Sequence, residues 1–218
     1  MFTTRSNNDS LTNQLDKLLT FYKKDNLVYT LVLKNASSYY TNLFEYNNWQ
    51  KIIYREINWN DDHLFGFIMD PIKRFYKGVT QDLVTNNIKN ISEFLNSNIE
   101  NNGHFLLMTP HSTPITFTHR SIYRNIDWIP LDLEQSSDYY FKKLLEHHNI
   151  KFKWTDVNDY KSNTEKTNVY DELKRTIPNN STLLYQLLHE DIMLYEDVIR
   201  NFNSTKNDWN SISWLKKI

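Results

Sequence analysis

At 218 residues the chain is long enough to bury the core of one α/β domain and too short for two ordinary domains plus a linker, so one domain spanning 1–218 is expected. Lys+Arg 25 against Asp+Glu 26 gives a formal charge of −1, which supplies no overall field for nucleic acid or an anionic membrane, so any anion site is local. The absence of cysteine excludes disulfides and thiolate metal sites and fits a reducing compartment, while 15% aromatic content argues against disorder.

The opening "MFTTRSNNDSLTNQLDK" lacks the apolar core of a signal peptide, and no later stretch approaches the roughly 18 to 20 apolar residues of a membrane span. A cytoplasmic chain with no membrane partner is expected. Residues 10–24 place Leu11, Leu15, Leu18, Leu19 and Tyr22 at helical spacing behind Ser10 as N-cap, predicting a leading helix. "NLVYTLVL" (26–33) reads as a strand buried on both faces, and "KNASS" (34–38) as a polar turn. "YYTNLFEYNNWQKII" then fits a helix.

Strand, turn and helix recur. "HLFGFIMD" (63–70) reads as a strand ending at Asp70-Pro71, where aspartate caps a helix and proline suits its first position. The whole of "IKRFYKGVTQDLVTNNIKNISEFLNSNIENN" reads as helix, with Phe75, Val79 and Leu83 as its core stripe. "HFLLM" (104–108) is a third strand ending in the turn "TPHSTP". "IDWIPLDLE" (126–134) is a fourth, followed by a helix that Ser136 or Ser137 can cap. Residues 154–168 read as a polar loop and the remainder as C-terminal helices. The expected fold is α/β, a mainly parallel sheet flanked by helices.

In such sheets ligands gather at the C-terminal ends of strands, where the next helix presents unpaired N–H groups and the positive end of its dipole. Lys34 to Ser38 occupies such a corner. Ser37 and Ser38 offer hydroxyls and Lys34 a mobile point charge, although "KNASSYY" lacks the glycines and Gly-Lys-Ser/Thr of a Walker loop. On its own the turn reads as a capped helix start with a solvated lysine.

"VLKNASSYY" resembles the 5′-phosphosulfate loop of the sulfotransferase family, in which a strand ends in Pro-Lys before a short turn and a helix. "FGFIMDPIKRFYKGV" (65–79) resembles that family's second element, R-D-P-x-x-R-x-x-S. "PHSTPI" is similar to an H-x-x-P-Q turn of carbohydrate sulfotransferases, and "LDLEQSSDYYFKKLLEHHNI" to their acidic segment and helix. "DVNDYKSN" is similar to a late Asn-x-x-Ser loop and "LYEDVIRNF" to the tail. The ordered pieces cover most of residues 27–202.

The resemblance implies a P-loop-NTPase-like sulfotransferase architecture and 3′-phosphoadenosine-5′-phosphosulfate (PAPS) as co-substrate, without a metal. The sulfuryl group would pass in line to a hydroxyl or amine of a carbohydrate or small metabolite. Lys34 would stabilise charge on the leaving phosphate oxygen, and Asn35, Ala36, Ser37, Ser38 and Tyr39 would cradle the phosphosulfate with backbone N–H groups and hydroxyls. His111 is the candidate base for the acceptor proton. Arg74 matches the family's second arginine and is assigned to the donor site, with an ion pair as its structural alternative.

Met69 and Lys77 stand where the family places the arginine and serine that hold the 3′-phosphate. Methionine donates no hydrogen bond, and Lys77 is the residue that can restore the charge. Two other readings remain open: a non-catalytic nucleotide or sulfate binder of the same fold, favoured by Met69 and by the missing Gln after Pro114, and an unrelated nucleotide-dependent phosphotransferase.

Overall fold

The computed structural model describes residues 12–17, 19–88, 90–100, 109, 111–132, 137–155 and 164–204. Five strands, β1 (Phe21–Lys24), β2 (Leu27–Thr30), β3 (Gln50–Ile52), β4 (His63–Ile68) and β5 (Asp127–Pro130), form one sheet in the order β3-β1-β2-β4-β5. The helices are α1 (12–17), α2 (Ser37–Tyr46), α3 (Pro71–Thr85), α4 (Ile91–Glu100), the single turn α5 (Ile115–Thr118), α6 (Ser137–His147), α7 (Thr164–Thr176) and α8 (Thr182–Ser204). Among the described residues no helix is long and apolar enough to cross a membrane.

The sheet is mixed, which corrects the mainly parallel sheet expected from sequence. β2, β4 and β5 run parallel, whereas β1 pairs antiparallel with both β2 and β3. The leading helix predicted to Lys24 does not reach it, because Phe21 and Tyr22 alternate between the two faces of the sheet and Asp25-Asn26 closes a two-residue hairpin, Asp25 taking φ 54°. The run to Ile53 also divides: α2 ends at Asn47, Asn48 turns at φ 56°, and β3 follows. Asn87, at φ 52°, likewise separates α3 from α4. α7 begins inside the segment read as loop. The predicted strand at 104–108 lies outside the described residues, as do Ser10 and Ser136.

Alternation along the strands gives the sheet two apolar faces. Tyr22, Leu27, Tyr29, Phe65, Phe67 and Ile129 point to one face, where Tyr40, Leu43 and Phe44 of α2 and Tyr140, Phe141 and Leu144 of α6 cover them. Phe21, Val28, Leu64, Ile68 and Trp128 point to the other, against Leu15, Ile115 and Ile122. Full burial of each such side chain contributes roughly 1.5 to 3 kcal/mol. A separate cluster joins α3, α4, α7 and α8 through Phe75, Val79, Leu83, Leu173 and Leu188, so the predicted stripe of α3 is core. α3 therefore packs directly on α7.

Candidate functional site

The turn after β2 is built against backbone preference. Lys34 and Ala36 both adopt left-handed conformations, φ 68° and 54°, at a cost on the order of 1 to 2 kcal/mol each for residues bearing a Cβ. Asn35 between them holds the shape: its fully buried side chain donates from Nδ2 to the Phe67 carbonyl at 2.7 Å, tying the turn to β4. α2 then opens with no side-chain cap and no acidic residue in its first turn, so the positive end of the helix is not offset there. Ser37 is half-buried and Ser38 exposed at that end. Tyr39 and Tyr40 direct their hydroxyls to Asp138, at 3.4 and 3.0 Å, and Tyr40 also meets Ser137 Oγ at 2.8 Å, so the two helix starts are pinned together.

From this turn the Lys34 side chain reaches α3, where its Nζ lies 3.5 Å from Gln81 Oε1. Lys166 of α7 donates to the same oxygen at 2.8 Å. Lys77, exposed one helical turn before Gln81, adds its charge to this neighbourhood. Burial lowers the Lys34 amine below the usual lysine range, and the charges of Lys166 and Lys77 push it the same way, against the opposing pull of Asp82.

The next residue, Asp82, is buried and faces the turn that carries His111. It accepts hydrogen bonds from Thr109 Oγ1 at 2.7 and 2.8 Å and from Ser112 Oγ at 2.8 Å, and its Oδ1 lies 3.4 Å from His111 Nδ1. The imidazole keeps 36% of its surface exposed. A carboxylate beside Nδ1 favours the tautomer protonated there, leaving Nε2 with a lone pair.

Arg74 and Gly78 complete the stripe leading to Asp82. Arg74 is 2% exposed and donates to the carbonyls of Leu33, at 3.2 Å, and Thr113, at 2.8 Å, with Asp191 supplying nearby negative charge. It therefore braces the residue before Lys34 against the His111 turn; of the ion-pair alternative, Asp70 or an acidic neighbour, the nearby charge is that of Asp191. Asp70 instead caps α3 through Ile72 N and Lys73 N, as its position before Pro71 predicts. Asp191 accepts from Ile115 N and Thr116 N at 2.7 and 2.8 Å and fixes the far end of the turn.

The structure thus brings Lys34, Lys77 and His111 together on α3, keeps Ser37, Ser38 and the backbone of 35–39 at the mouth of α2, and buries Met69 at 7% exposure. Gln81, Asp82 and Lys166 belong to the same cluster and were not singled out by sequence. The i, i+4 spacing of Lys77 with Gln81 and of Arg74, Gly78 and Asp82 was available; Lys166 carried no signal. A cavity of about 290 Å³ adjoins the turn, lined by Val32, Leu33, Arg74, Thr109, Phe117 and His119. Among the described residues no three His, Asp or Glu side chains converge as metal ligands.

His119, His63 and His148 are placed within the fold, outside this cluster. His119 is buried, and burial followed by the charge of Arg74 holds its pKa down at about 4. His63 bridges Asp127 at 2.6 Å and His148 at 2.8 Å, at the N-terminal ends of β4 and β5, the opposite edge of the sheet. Comparison with protein-family models, curated proteins and solved structures returned no match.

Proposed function

We propose that this chain is a sulfotransferase that moves a sulfuryl group from PAPS to a hydroxyl or amine of a carbohydrate or small metabolite. One observation carries the reading: two residues distant in sequence, Lys34 and His111, each reach one of two consecutive α3 residues, Gln81 and Asp82. A mobile cation and an oriented imidazole are the two groups that this transfer needs.

In this reading the S–O bond to the leaving phosphate breaks as a bond from sulfur to the acceptor oxygen forms. Charge grows on the phosphate oxygen, where Lys34 Nζ, the hydroxyls of Ser37 and Ser38 and the first-turn N–H groups of α2 are its donors. The acceptor proton passes to Nε2 of His111, whose Nδ1 faces Asp82; a positioned base of this kind contributes roughly 10²- to 10⁴-fold. Arg74 acts at one remove, by holding Leu33 and Thr113 at a fixed separation.

The residues fit the donor at the 5′ end better than at the 3′ end. Met69 is buried and donates nothing, so positive charge for the 3′-phosphate falls to α3 and its neighbours, beginning with Lys77. That substitution favours a second reading, a nucleotide or sulfate binder without turnover. Single-turnover reaction of the full chain with ³⁵S-labelled PAPS and a panel of sugars separates the two. Label appearing in an acceptor supports transfer; donor retention on the protein without product supports binding alone.

A further inference from the structure

Two lysines from two elements converge on one carboxamide of α3, and a third lysine acts on the first. Gln81 Oε1 accepts from Lys166 Nζ at 2.8 Å and lies 3.5 Å from Lys34 Nζ, while the charge of Lys77 also acts on Lys34. None of the three appears in an ion pair among the described residues. Asp82 is near enough to act on Lys34, yet its oxygens are engaged by Thr109, Ser112 and His111.

Like charges about 4 Å apart repel by on the order of 1 to 4 kcal/mol near a protein surface. A glutamine oxygen disperses little of this, because it brings a dipole and no charge. The arrangement persists because Leu173 and Val169 of α7 pack into the same apolar cluster as Val79 and Leu83 of α3. Packing therefore holds together a set of ammonium groups that an anion would neutralise.

We propose that Lys34, Lys77 and Lys166 form one dianion site around Gln81, and that Lys166 closes it from α7 over the second phosphate of the nucleotide donor. This rests on the PAPS reading for the identity of its ligand, and on the lysine geometry alone for its preference for anions. Lys34 then lies between the 5′ group at the mouth of α2 and the second phosphate, while Lys166 and Lys77 face the second phosphate only. Lys166 supplies in this chain the cation that Met69 cannot.

Two probes test it on the full chain, with the Lys166→Met variant keeping length and apolar stem while removing charge. Calorimetric titration with 3′,5′-adenosine bisphosphate should show a loss of about ten- to a hundredfold in affinity, the size expected for one charge-assisted contact, with 5′-AMP affinity held within about twofold. Lys166→Arg should retain most of the bisphosphate affinity. Inorganic sulfate, at ionic strength matched with chloride, should raise the melting temperature of the unmodified chain more than that of Lys166→Met. Equal bisphosphate affinity in Lys166→Met, or equal loss toward AMP, overturns the assignment to the second phosphate. A sulfate effect that depends on Lys166, with no preference for bisphosphate in the unmodified chain, upholds the anion site and rejects the PAPS reading.

Discussion

A methyl group built on Gly78 would lie 2.1 Å from the carbonyl oxygen of His111. Helix α3 and the His111 turn touch backbone to backbone there, a contact that only glycine permits. The same turn brings His111 Nδ1 to 3.4 Å from Oδ1 of Asp82, one helical turn further along α3. Gly78→Ala therefore displaces the turn, despite the roughly 1 kcal/mol by which alanine ordinarily favours a helix. Expected is a net destabilisation of about 1 to 3 kcal/mol from overpacking, measured by urea unfolding. A more stable Gly78→Ala protein with unchanged turnover contradicts the contact.

Asp82→Asn preserves shape and removes the charge that selects the His111 tautomer. Turnover should fall about 10- to 100-fold, the range for loss of an orienting carboxylate. Bisphosphate affinity should stay within about threefold, since no donor contact is removed. Unchanged kcat would mean that the carboxylate serves only Thr109 and Ser112.

Lys34→Ala removes a side chain that reaches from the turn before α2 to Gln81 of α3. Labelled-sulfate turnover should drop by at least about 10²-fold, comparable to loss of a single preorganised donor to a developing oxyanion. Its backbone conformation adds a second readout: Lys34→Gly relieves a left-handed φ of 68°, so the glycine protein should melt no lower than the alanine one while being equally inactive. Turnover retained in both variants would remove Lys34 from the mechanism.

The strand-turn-helix corners were legible because their chemistry is local. Asp70-Pro71 capped α3 as its spacing requires, and the Phe75, Val79 and Leu83 stripe entered the core. Local patterns misled where a tertiary partner decided. Tyr22 continues a leucine-spaced helix by count, yet the pairing of Phe21 with Thr30 and Ile52 makes it a strand. Half of the candidate site was hidden for the same reason: nothing adjacent to Lys166 announces that α7 packs on α3, and a buried Asp82 reads as an ordinary surface residue until the His111 turn folds over it.

Stability should depend on pH through two histidines held neutral. Burial pushes both His119 and His148 down to about 4, His148 further by the charges of His63 and His147. The unfolded chain binds their protons near pH 6.5, so below that pH it holds more protons than the fold does. Their contribution is complete above pH 6.5 and is lost as pH falls toward 4, by on the order of 3 kcal/mol for fully buried His119 and less for half-exposed His148. Urea midpoints should be flat from pH 8 to 7 and decline from 6.5 to 5. A midpoint constant down to pH 5 contradicts this.

The most direct measurement is isothermal calorimetry of the unmodified chain with 3′,5′-adenosine bisphosphate beside 5′-AMP. Micromolar affinity for the bisphosphate, at least about tenfold tighter than for AMP, is the expected result, because the second phosphate meets Lys77 and Lys166 while AMP leaves them unengaged. Equal affinity for the two nucleotides, or no binding of either, would contradict a PAPS site at the Lys34 turn.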